Sequence, residues 1–112
     1  MLRNFQVSHI FGRTKNPILF TAAWNIVWKA KFLDPFTGHE SKGILADKYR
    51  TAFISLMREN FISFIDDYNN LVDDYFSEDK IKLAIDSLTD KYGHENVDSE
   101  FINQVKENLS KL

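Results

Sequence analysis

Cysteine is absent from this chain of 112 residues. That excludes disulfides and thiolate metal sites and fits a reducing compartment. No apolar run approaches the roughly 18 residues that a membrane-spanning helix needs. The opening stretch MLRNFQVSHIFGR is too polar and too interrupted for a signal peptide. The expected location is the cytoplasm, with no membrane partner. Internal repeats, low-complexity tracts and flexible linkers are also missing, so residues 1–112 are read as a single domain. The strong basic surplus of a dedicated DNA-binding protein is missing too, since the net charge is −2.

What is present argues for a packed interior. The hydrophobic fraction is 44% and there are ten Phe, enough apolar material to exclude a disordered chain. The small net charge hides a division. Residues 1–50 carry eight Lys and Arg against three acids, a net of +5, and residues 51–112 carry six against thirteen, a net of −7. Such an asymmetry suits nucleic-acid contact by the basic half. On charge alone, two halves that attract each other are the simpler account.

Hydrophobic spacing outlines the elements. Phe5, Val7, His9 and Phe11 alternate with Gln6, Ser8 and Ile10, the period of a short strand. Gly12 and Lys15-Asn16-Pro17 mark a loop. Trp24, Ile26 and Trp28 alternate with Asn25, Val27 and Lys29, again strand-like, with a short helix through residues 19–28 as the rival. Asp34-Pro35-Phe36-Thr37-Gly38 reads as a turn.

From about Ser41 a three-and-four spacing takes over. It runs through Tyr49, Phe53, Leu56, Met57, Phe61, Phe64, Ile65, Tyr68, Leu71, Val72 and Tyr75, one long helix, either continuous or broken near Asn69-Asn70. Phe53, Leu56, Met57, Phe61, Phe64 and Ile65 are expected on one buried stripe packed against the aromatics of residues 18–33. Ser77 is placed to cap the next helix, with Glu78 and Asp79 in its first turn and Gly93 as its stop. Asp98 or Ser99 opens a last helix carrying Phe101, Ile102, Val105 and Leu109.

The candidate chemistry lies in residues 7–43. His9, Asn25 and His39 form a polar trio between apolar clusters. A nuclease must direct a hydroxide at phosphorus and stabilise the departing 3′-oxygen. A neutral histidine takes the water's proton, one divalent ion holds the phosphate and leaving oxygens, and an asparagine ties the histidine loop down. His9, Asn25 and His39 meet those needs in order, or they are three unrelated surface polar residues. Asp34 is either a turn residue or a ligand. Arg13 and Lys15 are candidate phosphate contacts, or merely solvated loop charges. Trp24 and Trp28 are expected in the core rather than as base-stacking platforms. The pairs Asp66-Asp67 and Asp73-Asp74 split across helix faces and are expected to face solvent.

The stretch resembles the HNH, or His-Me finger (ββα-metal), nuclease family, in particular short bacterial HNH-like domains. The matching elements are His9-Ile10, Asn16-Pro17, Phe20-Thr21, Asn25-Ile26-Val27 and Thr37-Gly38-His39. The resemblance covers residues 5 to about 50. It implies His9 as general base, Asn25 as the residue that fixes the loop and His39 as a metal ligand, with one Mg²⁺ or Mn²⁺ ion. Ser8 stands where members often carry a ligand before the first histidine, and Asp34 is the residue placed to replace it. Lys29-Ala30-Lys31 stands where a proline is common.

These observations give an α+β fold: a small β-containing, His-Me-finger-like element at the N-terminus and a mainly helical part over residues 51–112. The expected function is an HNH-like, metal-dependent nuclease or a nuclease-derived nucleic-acid-binding domain, with DNA ahead of RNA. The alternative is a non-enzymatic helical module that binds a protein partner or a second copy, with Tyr68, Tyr75 and Phe76 on its surface.

Overall fold

The computed structural model describes residues 3–33 and 42–112. The fold is α+β, a two-stranded antiparallel sheet followed by helices. Strand β1 (Phe5–His9) pairs with β2 (Ile26–Ala30). Their register sets Phe5 opposite Ala30, Val7 opposite Trp28 and His9 opposite Ile26. Helix α1 (Pro17–Thr21) and a 3₁₀ turn (Ala23–Asn25) lie between the strands. A second 3₁₀ turn (Lys31–Leu33) follows β2. Four helices complete the chain: α2 (Ile44–Asn60), α3 (Ile62–Tyr75), α4 (Glu78–Tyr92) and α5 (Ser99–Asn108). Of the rival helix through residues 19–28, residues 19–21 are helical within α1 and residues 26–28 give way to β2, while Pro17, read as part of a loop, opens α1.

Asn16 explains α1. Its side-chain Oδ1 accepts from the N–H groups of Ile18 and Leu19 at 2.9 and 3.1 Å, and Pro17 takes the first helical position. An asparagine cap followed by proline satisfies two orphan amides, and proline's missing N–H costs nothing there. Before it, Gly12 and Arg13 both have positive φ, 66° and 57°. The second is an uncommon conformation for a side-chain-bearing residue. The Asn16 N–H donates to the Arg13 carbonyl at 2.9 Å and closes the turn.

The long helix breaks at Phe61 rather than at Asn69-Asn70. Asn69 does not disturb α3 because its side chain is engaged elsewhere. Its Oδ1 accepts from the Leu112 N–H at 2.9 Å and its Nδ2 donates to the Leu112 carbonyl. An asparagine so occupied no longer competes for its own helix's backbone. The break also divides the expected stripe. Ile65 is buried and Phe53, Met57 and Phe61 are half-buried, but Leu56 and Phe64 are exposed.

The chain forms two compact units, residues 1–64 and 65–112, with the boundary inside α3. In the first, Ile10, Leu19, Ala46, Asn16 and Asn25 are buried. Trp24 stacks on Phe64 at 6.2 Å and meets Phe11 at 6.1 Å, and Arg58 of α2 lies over the Phe11 ring. In the second, Ile81, Ile85 and Val97 form a core flanked by Phe76, Ile102, Val105 and Leu109. Tyr68 is buried there, not on an interaction surface, and its hydroxyl donates to the Ser110 carbonyl at 3.0 Å. Asp66, Asp67, Asp73 and Asp74 are exposed. No helix of the described residues is long and apolar enough to cross a membrane.

Candidate functional site

The site is built on the connection between the strands. His9 is the last residue of β1 and is half-buried. Its Nε2 lies 3.0 Å from the carbonyl oxygen of Phe20. A carbonyl accepts only, so Nε2 is the donor, and the neutral ring carries its basic lone pair on Nδ1. The imidazole also stacks on the Phe20 ring, with centroids 4.9 Å apart and planes within 20°. Two contacts to one residue fix both the tilt and the tautomer of the ring.

Asn25 ends the 3₁₀ turn and is 0% exposed. Its Oδ1 accepts from the Phe11 N–H at 2.9 Å. Its Nδ2 donates to the carbonyls of Leu19 at 2.9 Å and Gly12 at 3.4 Å. Its main-chain carbonyl accepts from the Ile10 N–H at 2.8 Å, and its N–H donates to the Ala22 carbonyl at 2.9 Å. One buried side chain thus joins the start of the loop after His9 to the end of α1. A buried amide with both ends satisfied stabilises such irregular backbone, and leaving its partners unpaired is costly.

His9 and Asn25 therefore converge on consecutive carbonyls, those of Phe20 and Leu19. Arg13 and Lys15 lie in the loop that Asn25 tethers, Arg13 half-buried and Lys15 exposed. Asp34 and His39, the two expected metal ligands, lie outside the described residues. Among the described residues no three His, Cys, Asp or Glu side chains come together to hold a metal ion. The described residues supply no complete ligand set for the divalent ion that the resemblance implies.

Asn16 and Phe20 were not singled out as site residues from the sequence. The signal for Asn16 was present, since asparagine directly before proline marks a helix start as readily as a loop. Phe20 acts through its carbonyl and its ring, and nothing in its spacing announced either. Trp24 is half-buried in the aromatic cluster, whereas Trp28, expected in the core, is 63% exposed. In the second unit, Phe76, Ile81, Ile85 and Ile102 line a cavity of about 670 Å³, together with both acidic and basic side chains.

The chain belongs to the family described as Uncharacterised protein PM1201, whose model matches residues 1–112. It is similar to a protein of that description from Pasteurella multocida (strain Pm70), with 53% identity over 74 residues. That match covers 66% of this chain and 34% of the relative, so the chain spans about a third of the relative's length. No solved structure matches it.

Proposed function

We propose that the chain is an HNH-like, metal-dependent nuclease or a nuclease-derived nucleic-acid-binding domain, with His9 as the general base in phosphodiester hydrolysis. The observation that carries this reading is the pair of consecutive carbonyls that hold His9 and Asn25. They restrain an imidazole and the loop beside it before any substrate arrives, the kind of pre-positioning that lowers a barrier. The succession of β1, β2 and α2, with α1 and the 3₁₀ turns in its connections, supports the reading as well.

In this scheme Nδ1 of neutral His9 takes a proton from a water that attacks phosphorus. The P–O bond to the 3′-oxygen then breaks. The resulting imidazolium keeps its Nε2–H bond to the Phe20 carbonyl. Arg13 and Lys15 hold flanking phosphates. Asp34 and His39 are the proposed ligands of one Mg²⁺ or Mn²⁺ ion, which when bound supplies charge for the departing oxygen. The cytoplasm is the compartment in which we place this activity.

The test is cleavage of plasmid DNA and of a single-stranded oligonucleotide with Mg²⁺ or Mn²⁺ by wild type and His9→Ala, each checked for folding by circular dichroism. A lost general base should lower the rate about 10²–10⁴-fold. Equal cleavage by the two proteins overturns the reading.

A second reading, a helical protein-interaction module, draws on residues 65–112. Their apolar cavity and the exposed Tyr75, Leu83 and Tyr92 offer a surface of the kind such a module uses. It gains if wild type neither nicks nor binds nucleic acid at low salt.

A further inference from the structure

We infer that the sheet face carrying His9 binds single-stranded nucleic acid by stacking an unpaired base on Trp28. This rests on the reading of His9 as the hydrolytic base and adds to it the form of the substrate.

Residues directly opposite in an antiparallel pair share a face, and alternate residues of a strand do too. The register therefore gathers Phe5, Val7, His9, Ile26, Trp28 and Ala30 on one side of the sheet, with Gln6, Ser8, Val27 and Lys29 on the other. The His9 side is open, since Phe5, Val7 and Trp28 are all exposed. Trp28 stands diagonally across from His9, a separation of about 7–8 Å for such neighbours. Phe20, itself 49% exposed, lies against the His9 ring and extends the aromatic surface.

Charge selects the occupant. Residues 1–64 hold nine Lys and Arg against four acids, a net of +5, whereas residues 65–112 hold five against twelve, a net of −7. Arg3 and Lys31, both exposed, flank the Phe5 end of this face. An aromatic surface in a basic unit is complementary to a polyanion that offers bare base faces. Duplex bases are already stacked on one another, so single strands satisfy that requirement. Stacking is tolerant of base identity because every base has a π face, so little sequence preference follows. A base on Trp28 lies one diagonal position away from His9.

The experiment is fluorescence anisotropy of a labelled thymidine oligonucleotide of about 12 nucleotides, at low salt with EDTA to suppress cleavage. Wild type should bind it more tightly than a duplex of the same length and should show quenched tryptophan emission. Trp28→Ala should weaken binding about 5–100-fold, the range of one lost stack, and Trp28→Phe should recover most of it. Circular dichroism should show both variants folded. Unchanged binding by Trp28→Ala, a preference for duplex, or no binding by wild type overturns the inference. So does a dimer of wild type that Trp28→Ala dissociates without any effect on the oligonucleotide. The two readings fail separately. Nicking that depends on His9 with binding indifferent to Trp28 removes the stacking surface alone. Binding that depends on Trp28 with nicking indifferent to His9 supports the stacking surface and removes the base.

Discussion

Residues 3–33 hold their backbone with buried amides, and residues 65–112 hold theirs with aliphatic and aromatic side chains. Asn16 and Asn25 are fully buried and between them make five side-chain hydrogen bonds to main-chain groups. The buried residues of the second unit are Ile65, Tyr68, Val72, Ile81, Ile85 and Val97, all on or beside helices. A helix satisfies its own backbone and needs only an apolar face to pack. A loop that runs through two positive-φ residues and a five-residue helix has no such self-sufficiency, so side chains must meet its carbonyls and amides. The difference separates two tasks. The polar interior orients side chains such as His9, and the apolar interior builds a scaffold. Opposite net charges, +5 and −7, follow the same division.

The largest effect is expected at Asn25. Asn25→Asp keeps the acceptor for the Phe11 N–H but turns the Nδ2 donor into an oxygen facing the carbonyls of Leu19 and Gly12. A buried charge without a partner then confronts two acceptors, at a cost of roughly 3–5 kcal/mol. Both tryptophans, Trp24 and Trp28, lie in residues 1–64, so their emission in a urea titration follows that unit alone. The midpoint seen by tryptophan should fall more than the midpoint seen by far-ultraviolet circular dichroism. Equal shifts in both signals break the comparison, because the two interiors then unfold as one.

The complementary change is smaller. Ile85→Ala removes a buried side chain from the cluster with Ile81 and Val97 and should cost about 2–4 kcal/mol. Here the dichroism midpoint should move and the tryptophan midpoint should stay. Phe61→Ala is the weaker choice of core variant. Phe61 is half-buried at the break between α2 and α3, so its truncation should fall below the cost of a fully buried phenylalanine.

Legibility in the sequence follows the same line. Periodicity announced the strand at Phe5–His9, much of β2 and the helices over residues 44–108, because burial on one face imprints a spacing on the chain. It allowed a helix break at Asn69-Asn70, since an asparagine pair resembles a stop until its side-chain partner, Leu112, is known. It put Trp28 in the core and Tyr68 outside, because alternation and spacing identify faces without saying which face is covered. The arrangement at His9 and Asn25 was not readable in this way. Their partners are the main-chain groups of Phe11, Gly12, Leu19 and Phe20, which every residue type provides. What pointed to the two residues was their polarity between apolar clusters and their place in a resemblance, not a period.

The smallest effect separates two helix starts within the second unit that the sequence treats alike. Asp98 precedes α5 and its Oδ1 accepts from the Phe101 N–H at 2.8 Å. Ser77 precedes α4 with a capping backbone, φ −57° and ψ 154°, but its hydroxyl makes no capping bond. What Ser77 gives α4 is its carbonyl, which accepts from the Ile81 N–H at 2.9 Å, and alanine gives the same. Glu78 and Asp79 in the first turn already answer the positive end of that helix. Asp98→Ala should therefore cost about 1 kcal/mol, the usual value of a lost cap. Ser77→Ala should stay within about 0.5 kcal/mol of wild type, as substitutions away from special features do. Urea midpoints from circular dichroism of the two variants measure the gap. Equal losses would mean that the Ser77 hydroxyl caps α4 in solution after all. The two helix starts would then be equivalent.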